Sequence, residues 1–184
     1  MIEKAKDKIV AAIKGTGNIV QATVDSVAQI LTTTIKDTGK VGTSVTDTIA
    51  DVASGAIRGA AQIGVDLTQA AKGLMVGVLR GSKEAGTAVF DTISHTAQVA
   101  VRDTAKVGGN LEAAATGLVQ GAIQGAQELG VDAEEAAAAA AEGALKGAGE
   151  VGSTAVEAVH KAVSKPINGV KVALKKPEAM MSAN

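Results

Sequence analysis

The sequence predicts an all-α protein built from long amphipathic helices, and three observations predict it. Residues 1–165 contain no proline, so no residue there breaks a helix by lacking a backbone N–H. Aliphatic residues recur every eleven positions, which corresponds to about 3.67 residues per helical turn. The chain has 22 glycines and a single aromatic residue, Phe90, although aromatic side chains usually supply much of a globular core. We therefore expect extended helices or helical hairpins that pack as an oligomeric bundle or tube.

The eleven-residue period keeps its register from Val45 to about Ala140. Its three central columns start at Val45, Ile49 and Val52, and none of them contains a charged residue. With the adjoining columns, the apolar face spans roughly 130° of the helix surface, which is broader than a two-stranded coiled-coil seam. The face that these columns predict consists of Val45, Ile49, Val52, Ile63, Leu67, Leu74, Val78, Val89, Ile93, Val107, Leu111, Leu118 and Leu129.

Glycine also recurs every 22 residues, at Gly42, Gly64, Gly86, Gly108, Gly130 and Gly152. A glycine that ends one helix, followed by a capping residue, is a break signal, so each unit could be a helix of about 18 residues and a turn. The unbroken eleven-residue register favours continuity instead, because a turn usually changes the phase. It predicts helices at 2–14, 19–38, 44–107 and 110–164, with the strongest break signals at 108–110 and then 39–42.

A second contact face is predicted from glycine pairs spaced four residues apart. Small residues at this spacing let helix backbones approach closely. Together with the apolar face, they would allow each helix to contact neighbours on two sides, as in bundles and tubes. The alternative is a low-complexity drift toward glycine and alanine, and the regular placement argues against it. The predicted packing residues are Gly55, Gly59, Gly77, Gly81, Gly121, Gly125, Gly143 and Gly147.

The charge distribution divides the chain into three segments. A basic N-terminal segment of amphipathic helices covers residues 1–40, the repeat region covers 41–164, and a basic, proline-containing tail, expected to be flexible, covers 165–184. Within the repeat region, residues 41–150 carry seven basic against thirteen acidic side chains. The net charge of the whole chain is −1, which argues against nucleic acid as a partner.

The residues that carry chemistry are few, and their pattern does not predict an enzyme. Cysteine is absent, which removes thiolate catalysis and cysteine metal sites. His95 and His160 are expected to be solvated, and Glu134–Glu135 suit a helix N-terminus better than a catalytic pair. We expect no catalytic, cofactor or metal site. The most apolar stretch, Leu74–Leu79, is too short to cross a bilayer, so the expected location is cytoplasmic, either free or peripheral at a membrane or granule surface.

Residues 42–163 resemble the group of eleven-residue amphipathic-helix proteins, which includes synucleins, exchangeable apolipoproteins with 22-residue units, perilipins and late-embryogenesis-abundant proteins. The resemblance rests on the register that begins at Val45 and on the 22-residue glycine series. It implies helices that bind lipid or lipid-droplet surfaces, or that fold on drying. The central segment departs from this group in its net acidity and in its regular glycine pairs.

Three functions remain open at this point. The first is a non-catalytic structural scaffold, either free or at a membrane, that associates through the long apolar face with itself or with helices of partner proteins. The second is a lipid-surface or granule-coat protein of the phasin or perilipin kind, which the broad apolar face favours. The third is a stress protectant that folds on drying, although the high Val, Ile and Leu content fits that function poorly. None of the three requires a cofactor.

Overall fold

The computed structural model describes residues 2–38, 43–83 and 88–174. These residues form eight α-helices and no β-strand beyond one isolated bridge between Ile167 and Val170. The all-α class is therefore confirmed. The helices are α1 (Ile2–Thr16), α2 (Ile19–Thr38), α3 (Thr43–Ile63), α4 (Leu67–Ser82), α5 (Val89–Lys106), α6 (Leu111–Leu129), α7 (Ala133–Gly149) and α8 (Ser153–Val163).

The long continuous helices predicted for residues 44–107 and 110–164 are not present. The first range contains α3, α4 and α5, and the second contains α6, α7 and α8. The expected break at 108–110 is found between α5 and α6, whereas the one at 39–42 lies outside the described residues. The alternative of one helix and one turn in each 22-residue unit describes the repeat region better.

The turns explain why the helices end where they do. Gly64, Gly108 and Gly130 have φ angles of 69°, 68° and 74°, in the left-handed region that favours glycine. After Gly64, the Val65 N–H donates to the Ala60 carbonyl at 3.1 Å and the Gly64 N–H donates to Ala61, which is the Schellman pattern. The next helix then starts from a side-chain cap, since the Asp66 carboxylate accepts from the Thr68 N–H at 2.8 Å.

Asn110 and Asp132 cap α6 and α7 in the same way, by accepting from the backbone N–H groups of Ala113 and Glu135. The eleven-residue register survives these turns because helix and turn together use 22 residues, a whole number of elevens. The period therefore belongs to the repeating unit and not to one continuous helix. Because the phase continues through the turns, the register alone predicted helices that are longer than those observed.

The eight helices form a two-layer array. The odd-numbered helices α1, α3, α5 and α7 lie side by side in one layer, and the even-numbered helices lie side by side in the other. Each helix also packs against its neighbours in sequence in the opposite layer. Residues 2–38 join this array, since α1 packs on α3 and α2 on α4. After α8, Ile167 and Val172 are buried against the core, and residues 175–184 lie outside the described part.

Candidate functional site

The apolar face predicted from the sequence lies mainly between the two layers. Seven of its residues are buried, namely Val45, Ile49, Val52, Leu74, Val78, Ile93 and Leu118. Those near helix ends are partly buried, namely Ile63, Leu67, Val89, Leu111 and Leu129, and Val107 is exposed at 38%. Most of the face is thus covered by other helices of the same chain, where burial of aliphatic surface stabilises the array.

The predicted glycine pairs lie where second-neighbour helices of one layer touch. A Cβ atom built on Gly55 would be 2.9 Å from the Ile2 carbonyl oxygen of α1. One built on Gly77 would be 2.8 Å from the Val24 carbonyl oxygen of α2. These distances are shorter than real Cβ contacts, so only glycine permits the observed helix approach.

The later pairs repeat this arrangement. Gly121 on α6 faces the Lys72 carbonyl oxygen of α4, with a built Cβ 2.6 Å away. Gly143 and Gly147 on α7 lie against the backbone of Ser94 and Gln98 on α5. The remaining three glycines meet side chains: Gly59 meets Val10, Gly81 meets Leu31 and Gly125 meets Leu79. In α3, α4, α6 and α7, glycine therefore contacts the helix two places earlier.

The contact between α3 and α5 departs from this pattern. Positions 99 and 103 of α5 correspond to the glycine pairs but hold Val99 and Asp103. Asp103 is only 1% exposed. Its carboxylate lies 3.3 Å from Arg102 Nε, 3.7 Å from Lys106 Nζ and 4.0 Å from Arg58 Nε of α3. A buried carboxylate needs such partners because desolvation is costly.

Ion pairs also connect second-neighbour helices on the outer surface. Arg80 of α4 donates to Glu128 of α6 with two hydrogen bonds of 2.7 and 2.8 Å. Arg102 of α5 lies 3.7 Å from Glu150 at the end of α7, and Gln98 donates to the same carboxylate. Both Arg–Glu pairs join residues 48 positions apart, so they are equivalent contacts one helix apart along the array.

The Arg80–Glu128 pair shifts the titration of both groups. The hydrogen bond from Arg80 lowers the pKa of Glu128, and the hydrogen bond to Glu128 raises the pKa of Arg80. The side chains are 42% and 34% exposed, so solvent screens the pair and limits its contribution to stability.

These charges belong to a pattern that the sequence reading missed. A basic column with 22-residue spacing passes through Lys14, Lys36, Arg58, Arg80, Arg102, Gln124 and Lys146, with Gln124 as its one uncharged member. An acidic column in the odd-numbered helices has a spacing of 44 and consists of Glu3, Asp47, Asp91 and Glu135, all of them exposed. The signal was available in the sequence, in the 22-residue period already found for glycine.

The two histidines lie on different helices, α5 and α8. His95 is half-buried, which differs from the predicted solvation, whereas His160 is exposed. Among the described residues, no group of three or more His, Cys, Asp or Glu side chains could hold a metal ion. Two shallow hollows of about 200 and 250 Å³ lie at helix ends, the first beside Leu79 and Leu129 and the second beside Thr68 and Glu112.

No described helix is both long enough and apolar enough to pass through a membrane.

The comparisons with known proteins show a fold and no family. No protein-family model matches the chain, and no curated protein matches it. Among solved structures, the chain is similar to a de novo designed helical repeat protein, with a TM-score of 0.53 and 22% sequence identity. The match covers 88% of this chain and 86% of the designed one. The similarity supports a helical repeat fold, and this neighbour is not a member of the synuclein and apolipoprotein group.

Proposed function

We propose that this protein is a non-catalytic helical-repeat scaffold that associates with itself. The observation that carries the proposal is the repeated glycine-to-backbone contact between second-neighbour helices, such as Gly143 on Ser94. Repeat arrays of this kind build extended surfaces from identical units, and each unit contacts only its neighbours. A reaction site would instead require several chemically active side chains to converge.

The surface that associates differs from the one expected from the sequence. The long apolar face contacts other helices of the same chain, as Leu74, Ile93 and Leu118 illustrate at 0% exposure. Lipid binding through that face would require the two layers to separate. Self-association in our proposal therefore uses the outer and lateral surfaces of the folded array. Location at a membrane or granule surface is not needed for it.

The test is the mass of the full chain in solution over a wide concentration range. Sedimentation velocity and light scattering are expected to show assemblies larger than one chain, with unchanged far-ultraviolet circular dichroism. A monomer at every concentration up to several hundred micromolar would refute self-association. Addition of anionic vesicles separates the lipid-coat alternative, because co-sedimentation with vesicles together with a gain in helicity would favour that function over ours.

A further inference from the structure

We infer that copies of this chain stack head to tail, with α1 of one copy lying beside α7 of the next as though it continued the odd-numbered layer. The inference rests on the proposed self-association and specifies how the two copies are arranged. Its starting point is that α1 carries the same small-residue face as the later helices. Ala11 and Gly15 lie 44 residues before Gly55 and Gly59.

In the later helices this face is covered, and in α1 it is open. A Cβ built on Gly55 or Gly59 meets atoms of α1 within 3.0 Å. A Cβ built on Gly15 meets nothing within 4 Å, and both Ala11 and Gly15 are exposed. α1 therefore has the surface for docking on a preceding helix, and the described part of the chain supplies no such helix.

The other end of the odd-numbered layer offers the matching surface. Gly143 and Gly147 dock on Ser94 and Gln98, a register of 49 residues in both cases. The residues of α7 that correspond to Ser94 and Gln98, 44 positions later, are Ala138 and Glu142. Ala138 is partly exposed and carries only a methyl group, so another helix backbone can approach it. The contact would keep the register of α7 on α5, and the two helices would lie further apart because Ala11 stands where α7 has Gly143.

Charge complementarity identifies a second copy as the occupant. α1 carries Lys4, Lys6, Lys8 and Lys14 against Glu3 and Asp7, for a charge of +2. α7 carries Glu134, Glu135 and Glu142 against Lys146, for a charge of −2. The register of 49 places Lys8 of the second copy opposite Glu135. Inside the chain, the same register sets Val52, Thr96 and Ala140 opposite the acids Glu3, Asp47 and Asp91. At this register, only the contact between copies would therefore place a basic residue opposite a member of the acidic column.

In the even-numbered layer the same stacking would bring charged groups together at a wider helix separation, because an Asp side chain does not fit the close approach that glycine makes. Asp37 of α2 occupies the position of Gly81, which contacts Ala28 and Leu31 of α2. The corresponding residues of α8 are His160 and Val163, and His160 is exposed next to Lys161. An acidic group of one copy would thus approach a basic region of the other. The interface is heterologous, so repeated stacking extends the array instead of closing a dimer.

Site-specific crosslinking provides the decisive experiment, because the natural chain contains no cysteine. We expect the full-length variants Ala11→Cys and Ala138→Cys to form a crosslinked dimer on oxidation only when mixed. The double variant should form a ladder of higher oligomers. Disulfide formation requires Cα atoms about 4.4–6.8 Å apart, so crosslinking reports the proposed contact. The control is Thr46→Cys, an exposed position on α3, mixed with Ala138→Cys, which should remain uncrosslinked.

A charge exchange tests the same contact without a covalent bond. Lys8→Glu and Glu135→Lys should each raise the dissociation constant for self-association by about three- to tenfold, and the two changes together should restore it. Asp91→Lys is the matched control, since Asp91 lies in the same exposed column but away from the edge, and it should leave association unchanged.

The outcomes separate the inference from the proposed function. If Ala138→Cys crosslinks efficiently with itself, or if charge exchange fails to restore association, the copies meet in another geometry and the head-to-tail inference is wrong while self-association stands. If every variant and the natural chain remain monomeric, both the inference and the proposed function fail.

Discussion

Substituting Gly143 by alanine would place a methyl group against the backbone of α5. The new Cβ would be 2.7 Å from the Ser94 carbonyl carbon and 2.8 Å from its Cα, whereas ordinary contact begins at 3.4 Å. α7 would have to move away by at least about 0.7 Å, the difference between 3.4 and 2.7 Å, because the Ser94 carbonyl oxygen is closer still. A gap of that size loses a quarter to a half of each contact's dispersion energy. Overpacking of this kind costs about 1–3 kcal/mol, after which alanine's better helix propensity returns about 0.5–1 kcal/mol.

We therefore expect Gly143→Ala to lower the free energy of unfolding by about 1–2 kcal/mol and the melting temperature by roughly 2–8 °C. Thermal and urea unfolding followed by circular dichroism measure this change. Gly149→Ala is the matched control, because Gly149 ends the same helix and a Cβ there meets nothing within 4 Å. The control should be neutral or slightly stabilising. Equal stabilisation by both substitutions would refute close backbone packing of α7 on α5.

Three further predictions concern caps and charges. Ala88→Asp should stabilise the protein by about 0.5–2 kcal/mol in urea unfolding, because Ala88 caps α5 with no side-chain hydrogen bond; no gain would contradict the assigned cap. Asp103→Asn should destabilise it by about 1.5–3 kcal/mol, measured in the same way, and a neutral result would mean that its cationic neighbours do not bind it. Because Arg80 lowers the pKa of Glu128, their pair stabilises the fold above the ordinary carboxyl range and is lost as the pH falls through the lowered pKa. Arg80→Gln should therefore show less stability loss between pH 6 and pH 3 than the natural chain, and identical pH profiles would exclude this linkage.

The repeat could be predicted from the sequence, and the helix boundaries could not. The eleven-residue columns identified Leu74, Ile93 and Leu118 as one apolar face, and all three are buried. The same columns suggested a continuous helix across Gly64, where the chain actually reverses. Periodicity alone cannot distinguish the two cases, because a helix and turn that use 22 residues together preserve the phase. The local signals, glycine followed by Asp66, were the better guide to the break.

The lateral contacts were only partly accessible from the sequence. The spacing indicated that Gly143 and Gly147 would share a helix face. It did not indicate that this face contacts α5 instead of α6. That choice depends on how the two layers align, which no single helix specifies. The inter-helix ion pairs, such as Arg80 with Glu128, were missed because their partners lie 48 residues apart. Following the charged positions at the 22-residue period would have pointed to them.

Because the main contacts of each helix reach no further than its second neighbour along the chain, the length of this protein is adjustable in units. Removing or inserting two consecutive helices, 44 residues with their turns, would bring equivalent surfaces together again. Gene duplication or unequal recombination within the repeat could therefore lengthen or shorten the molecule without inventing a new interface. Most insertions of other lengths would place a polar column where the apolar one belongs, so selection for a folded chain would itself preserve increments that keep the eleven-residue register.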